Sequence, residues 1–184
     1  MPSINELLKE RSGIRLDIGC GENKQPGWVG MDVQEMPGVD IVHDVNVHPW
    51  PLPDESVLMA MCSHLVEHIP PVAFSDGKTI FPFIQFMDEV WRVLKYDGQF
   101  AISCPHGSSQ GFLQDPTHCN AVNEATWAYF DPLEANGLLY SFYRPKPWKI
   151  NFLSWAPNAN IEVVLVKRRI DQSYGGGNDE SADV

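Results

Sequence analysis

The sequence is short of positive charge. Thirteen Lys and Arg face twenty-four Asp and Glu, a formal net charge of −11. Four of the acids (Asp171, Asp179, Glu180 and Asp183) fall in the stretch 171–184, and the thirteen basic and twenty acidic residues left still make the body acidic. Nucleic-acid affinity rests mainly on Lys and Arg neutralising phosphates, so a large phosphate-binding surface is excluded and no nucleic-acid partner is expected. Cysteine is also scarce. Cys20, Cys62, Cys104 and Cys119 include no CxxC pair, so neither a zinc knuckle nor a redox pair is written here, and no metal site is read from the sequence. Long apolar runs are missing as well. Nothing approaches the ~18 apolar residues of a membrane span, and the start, MPSINELLKERSG, has no apolar core of signal-peptide type. These absences point to a cytoplasmic chain in reducing surroundings with no membrane partner.

What is present fits one domain. The 184 residues are 43% hydrophobic and 11% aromatic, enough to bury a core without staples. Residues 3–11 start with a plausible Ser3 cap and put Ile4, Leu7 and Leu8 on one helical face. Short apolar stretches at 14–18, 28–33, 39–45, 57–63 and 99–105 read as strands, with 57–63 expected to be buried on both faces. Residues 81–95 carry apolar side chains at helical spacing, with Gly98 as the expected C-terminal cap. The region 106–147 reads as irregular and aromatic, with one helix at 123–130, and 148–157 and 161–169 as a closing hairpin. The Gly-rich, acidic stretch 171–184 reads as a disordered tail after a single domain over 1–170. Buried strands alternating with helices predict a mostly parallel α/β sheet of Rossmann-like type, with ligands beyond the carboxyl ends of its strands.

The most informative segment is Leu16-Asp17-Ile18-Gly19-Cys20-Gly21, a strand running into Gly-x-Gly, which admits a ligand where a Cβ would collide. A dinucleotide site needs a third glycine three places after Gly21, opening a helix that holds the pyrophosphate. Lys24 stands there, and the next strand begins near Trp28, so a dinucleotide, and with it a nicotinamide dehydrogenase, is disfavoured. The second strand still ends in an acid, Asp32, placed to accept from ribose hydroxyls. The third leads to Asp44, which could accept from an adenine amino group. Glycine turn, ribose acceptor and adenine acceptor without a phosphate cradle describe a nucleoside cofactor that lacks phosphates.

The chain resembles the class I S-adenosylmethionine-dependent methyltransferases, in particular the methyltransferase type 11 group. The resemblance rests on LDIGCG (16–21), PGWVGMD (26–32), DVNVHPWPLPDESV (44–57), SHLVEHI (63–69), DEVWRVLKYDGQFAISCP (88–105) and QDPTHCNAVNEATWAYF (114–130). These run in the family's order over residues 13–130, with Tyr96-Asp97 where relatives carry Pro-Gly. It implies a class I sheet with a C-terminal antiparallel hairpin and a shortened first crossover, and S-adenosylmethionine as cofactor. It also implies that Gly19, Cys20 and Gly21 border the methionine part, with Asp17 orienting the turn. Asp32 and Val33 would then lie at the ribose, Asp44 and the Val45 backbone at the adenine, and Ser63 beside the methionine end.

Methyl transfer from a sulfonium mainly needs a nucleophile aligned for in-line attack, and a general base only where that nucleophile arrives protonated. His64 follows the fourth strand and His106 the fifth, while His118 stands in Asp115-Pro116-Thr117-His118 with Asp115 near enough to orient its ring. These three are the candidates for proton transfer, each set against a bland role as a hydrogen-bonded loop histidine. Glu67-His68, though it resembles the family's Glu-His pair, is expected to be structural. Cys104 as a nucleophile needs an activated thiolate and a flipped base, which the acidic surface disfavours. The expected activity is methyl transfer to a small-molecule acceptor (or a small peptide or sugar), with specificity drawn from 64–82 and 106–147. The rival reading is a non-catalytic cofactor-binding module serving as a sensor or partner subunit.

Overall fold

The computed structural model describes residues 13–135, 137, 145–155 and 159–169. The expected helix over 3–11, the acidic tail, and Tyr140, Phe142, Tyr143 and Arg144 of the aromatic stretch lie outside the described residues.

The first four strands are β1 (Ile14–Ile18), β2 (Val29–Asp32), β3 (Ile41–Val42) and β4 (Val57–Ser63). A 3-10 turn at Val66–His68 leads to a small hairpin of β5 (Ala73–Ser75) and β6 (Lys78–Ile80), then to helix α1 (Pro82–Val93) and strand β7 (Leu94–Pro105). Among the described residues, the short helices α2 (Gln110–Leu113) and α3 (Glu124–Ala128) precede β8 (Trp148–Trp155) and β9 (Asn160–Lys167). Seven strands form one sheet in the order β3-β2-β1-β4-β7-β9-β8. Its members from β3 to β7 pair in parallel, whereas β9 pairs antiparallel with both β7 and β8. The mostly parallel sheet with a closing antiparallel hairpin is thus as expected, and no helix interrupts 19–28, the short first crossover. The chain steps outward from β1 to β2 and β3 on one side and returns to β4 on the other. The switch point of the sheet therefore lies between the ends of β1 and β4, where open α/β sheets hold ligands.

Helix α1 starts with Pro82 at its first position, where a missing N–H costs nothing. It buries Phe83, Phe86, Met87, Val90, Trp91 and Val93. Phe86 meets Phe100 of β7 and Trp50, while Phe83 meets Trp127 and Phe130 edge-on. Trp148 also packs on Phe100. Glu89 accepts from the Trp50 amide and is held by Arg92, so the helix's buried acid is fully paired.

Several local expectations change. Strand β4 is covered fully on one face only: Ala60 and Cys62 are buried, but Met59 and Met61 are half-buried and Leu58 exposed. Residues 39–45 yield only the two-residue β3, because Asp40 turns its carboxylate to the Gly30 amide and Lys24, and Asp44 caps its own turn at Asn46. Gly98 does not cap α1. The chain leaves the helix at Leu94 in extended conformation, Asp97 takes the left-handed φ of 62°, and Gly98 sits within β7. A Cβ at Gly98 would come 2.7 Å from the Lys95 carbonyl, so close approach explains the glycine. The β5–β6 hairpin is unforeseen, although its Asp76-Gly77 pair, both at positive φ, is the sequence signal of a two-residue turn. None of the described helices is long and apolar enough to cross a membrane.

Candidate functional site

The glycine turn leaves β1 at the switch point. Gly19 and Gly21 both take left-handed backbone, at φ 68° and 51°, which favours residues without a Cβ. A Cβ on Gly19 would press Leu65 at 3.1 Å, whereas one on Gly21 would meet nothing within 4 Å. Gly21 therefore borders open space, and its requirement is conformational. The turn is tied down by three carboxylates. Asp17, buried at the end of β1, accepts the Gln25 amide at 2.9 Å. Burial pushes its carboxyl above the ordinary range, and the Gln25 amide and the charge of Lys24 pull it back in part. Asp32 accepts the Gly21 amide at 2.9 Å through one oxygen and the Gln34 amide at 3.0 Å through the other. Asp40 holds Lys24 at 2.7 Å and the Gly30 amide at 2.8 Å. The first crossover is thus a pre-set loop whose amides are fixed before any ligand arrives.

Cys20 is buried between these groups. Burial, with the charges of Asp17 and Asp32, pushes its thiol up to about 11, so it contributes a small neutral side chain. Val33, just past β2, is 60% exposed beside Asp32. Asp44 lies two residues beyond β3 and accepts from the Asn46 amide, while the buried Val45 gives its carbonyl to the Trp50 indole. Ser63 ends β4 next to β1, exposed at the same end of the sheet.

The three histidines part company. His106 is buried and stacks on Trp155 with ring centroids 4.3 Å apart. Its Nδ1 accepts from Ser108 and its Nε2 contacts Glu124 at 3.2 Å, so both nitrogens are occupied. His64, held at φ 53°, places Nδ1 3.3 Å from Glu67 and Nε2 3.3 Å from the Asn160 amide group. His118 donates from Nδ1 to the Phe112 carbonyl at 2.9 Å and turns Nε2 toward Glu67 at 4.0 Å and Asp115 at 3.7 Å. His64 and His118 therefore converge on Glu67, and His106 does not. Glu67 is the residue that sequence reasoning undervalued: it is fully buried, and neither carboxylate oxygen receives a hydrogen bond. The motif Glu-His was visible; its meeting with His118, fifty-one positions away, was not. Cys104 is buried and its thiol is driven far up by burial, which removes the thiolate a nucleophile would need.

Beside this cluster lies a cavity of about 390 Å³ between the β6–α1 junction and α3. Phe81, Phe83, Tyr129 and Phe130 make its apolar walls, and Asn120, Asn123 and Thr126 add polar groups. Trp127 and Trp148, by contrast, are core.

No family profile matches the sequence, and no curated protein matches it. Solved structures do. A SAM-dependent methyltransferase from Archaeoglobus fulgidus superposes with a TM-score of 0.55 at 17% identity, over 85% of this chain and 87% of that one. The PH0226 protein of Pyrococcus horikoshii gives 0.55 at 16% identity, over 88% and 86%. The 16S rRNA (adenine(1408)-N(1))-methyltransferase of Catenulisporales acidiphilia gives 0.52 at 13% identity, over 89% and 88%. The fold is that of the class I S-adenosylmethionine-dependent methyltransferases. In that fold the glycine turn, Asp32 and Ser63 share one end of the sheet around the switch point, and the Glu67 cluster rises from the loop that follows β4.

Proposed function

We propose that the protein is an S-adenosylmethionine-dependent methyltransferase acting on a small-molecule acceptor in the cytoplasm. The observation that carries this reading is the link from the Gly21 amide to the Asp32 carboxylate, which ties the turn after β1 to the end of β2 beside a first crossover without a helix. That loop has no helix N-terminus to bind a pyrophosphate, yet it keeps a ribose acceptor and an open face at Gly21, and so fits a nucleoside without phosphates. Gly19, Cys20 and Gly21, with Asp17 behind them, would border the amino-acid part; Asp32 and Val33 the ribose; Asp44 and Val45 the adenine; and Ser63 the reacting end. When bound, the cofactor supplies an electrophilic methyl group on a sulfonium.

The chain's own work is then to bind, orient and keep water out. Asp17 and Asp32 accept backbone amides of the turn and Asp40 holds its Lys24 side chain, which lowers the ordering cost of binding. The apolar cavity walls would seat the acceptor body, while Asn120, Asn123 and Thr126 fix its orientation. In this reading a proton from an acceptor would go to His64, more than half exposed beside Glu67, or to His118 while its Nε2 lone pair is free, and His106, buried and stacked on Trp155, is given no such role. The rRNA acceptor named for the Catenulisporales enzyme is not carried over, because the acidic body here offers few phosphate contacts.

Calorimetric titration of the purified chain with S-adenosylhomocysteine tests this. One site per chain with micromolar affinity is expected, followed by methyl turnover in an acceptor screen with labelled donor. A folded, cofactor-free chain that does not bind would overturn the cofactor assignment and leave the fold alone. Binding without turnover of any acceptor would favour a cofactor-binding module.

A further inference from the structure

We propose that Glu67, His68 and His118 form a binding site for a zinc-class divalent cation. One donor atom from each of the three lies within 4.8 Å of the others. They come from two segments, the 3-10 turn after β4 and the loop after α2. Those segments are zipped together by backbone. The Glu67 carbonyl accepts the amides of Cys119 at 2.8 Å and Asn120 at 3.0 Å, and the Asn120 side chain donates to the Val66 carbonyl at 3.0 Å. The side chains above this zipper are therefore held close by the fold itself.

The independent sign of a missing ligand is Glu67. It is fully buried with neither oxygen hydrogen-bonded, and a bare buried carboxylate is among the most costly arrangements a protein can hold. The imidazole nitrogens near it are His64 Nδ1, 3.3 Å from Oε1, and His118 Nε2, 4.0 Å from the same atom. Protons on those rings would at best serve Oε1 and leave Oε2 bare.

The tautomers point the same way. His118 Nδ1 faces the Phe112 carbonyl, which can only accept, so that nitrogen carries hydrogen and Nε2 is left as the lone-pair donor. Left neutral, it would aim that lone pair at two carboxylates, Glu67 and Asp115. His68 is set in the same sense. Thr117 spends its hydroxyl proton on Asp115 at 2.6 Å, so its oxygen accepts from His68 Nδ1 at 3.1 Å, freeing His68 Nε2. An imidazole whose second nitrogen donates to a carbonyl, or to a hydroxyl backed by a carboxylate, is the usual outer shell of a metal-bound histidine. A divalent cation would satisfy the carboxylate and both lone pairs at once.

The donor set names the metal class. Two imidazoles and one carboxylate suit zinc and its late first-row neighbours more than magnesium or calcium, which prefer oxygen alone. An ion about 2.0–2.1 Å from each donor would draw a tetrahedral set to roughly 3.4 Å apart. That is a side-chain movement that exposed His68 is free to make. Three protein ligands leave a fourth position for water or an oxygen atom of a bound molecule. The proposal does not depend on methyl transfer.

The test is zinc content and zinc affinity of the untagged full-length chain, measured by elemental analysis after desalting and by competition with a chromophoric chelator. About one zinc per chain is expected, undisturbed by millimolar magnesium. His118→Ala and Glu67→Gln should each lower the affinity at least 100-fold. His68→Ala, at an exposed position that leaves folding intact, should do the same, and Thr117→Val should lower it roughly 10-fold through His68. Cys119→Ser should change nothing, and cobalt substituted for zinc should show no sulfur-to-metal absorption band. No zinc retained by the folded chain, or zinc lost in Cys119→Ser but kept in His68→Ala, would overturn the site. S-adenosylhomocysteine titration of His68→Ala separates the two readings: binding should persist with zinc gone.

Discussion

The two flanks of the cleft solve the same electrostatic problem in opposite ways. On the β1–β3 flank, Asp17, Asp32 and Asp40 each accept at least one backbone amide, from the turn after β1 or from β2. On the β4–β7 flank, Glu67 is more deeply buried than any of them and accepts none. The first flank is complete without a ligand, so a ligand arriving there adds to a finished scaffold. The second is incomplete as it stands, and its stability should depend on what occupies it. A bound species that recognises only the folded chain stabilises it in proportion to the logarithm of its concentration over Kd. Zinc should accordingly raise the melting temperature progressively as its concentration climbs above Kd, and the same concentrations of magnesium should not.

Substitutions can break or sharpen this contrast. The largest effect is expected from Gly19→Val. A β-branched residue at φ 68° adds strain of about 1–3 kcal/mol, and its side chain meets Leu65. Since about 1 kcal/mol moves the midpoint by ~2–4 °C in a domain of this size, differential scanning calorimetry should show a loss of several degrees. Titration should show at least about 100-fold weaker S-adenosylhomocysteine binding.

Asp32→Ala comes next. It removes the proposed ribose acceptor and frees the Gly21 amide, so cofactor affinity should fall by ~1–3 kcal/mol, the scale of a buried hydrogen bond left unmade. Zinc content should stay unchanged, which keeps the flanks separable. Unaltered cofactor affinity in a folded variant would place the ribose elsewhere.

His106→Ala should act on neither flank. It loses the Trp155 stack and the Glu124 contact, lowering stability by about 1–2 kcal/mol while both ligand affinities hold. A matching loss of turnover at unchanged stability would contradict its exclusion from proton transfer.

The smallest effect is expected from Asp17→Asn, read as a pH profile. The carboxyl of Asp17 is raised above its ordinary 3.8 by burial, so the folded chain holds that proton more tightly than the unfolded one. Its stabilising contribution is full below the unfolded value and is lost as pH rises through the folded value. The variant should therefore gain on the parent between about pH 4 and neutrality, by a few degrees in thermal melts, and the gap should close in acid. A constant offset at all pH values would mean that the carboxyl is not perturbed.

The first flank was legible because its interactions are local in sequence. Asp17 reaches Gln25, Asp32 reaches Gly21, and the strand-glycine-strand pattern places all of them. The mostly parallel α/β sheet followed from apolar runs of strand length alternating with the helical periodicity of 81–95, whereas the strand order did not. The second flank depended on two loops fifty-one positions apart, separated by a hairpin, α1 and β7, meeting where turns, not periodicity, set the path. There the spacing of His118 from Glu67 says nothing until the backbone joins Glu67 to Cys119 and Asn120. The stop of α1 was misread for a related reason: Gly98 has the residue type of a cap, but it was selected by close approach within β7, a tertiary demand that outweighs local propensity.

The distribution of the four thiols has a practical side. Cys20, Cys62 and Cys104 are buried, with thiols held protonated by their surroundings, whereas Cys119 is exposed. A maleimide dye at neutral pH should accordingly mark one position per chain. That position adjoins His118 and is anchored by its amide to the Glu67 carbonyl. The native sequence thus carries its own single fluorescence handle, seated where cation binding or acceptor entry would change the dye's surroundings.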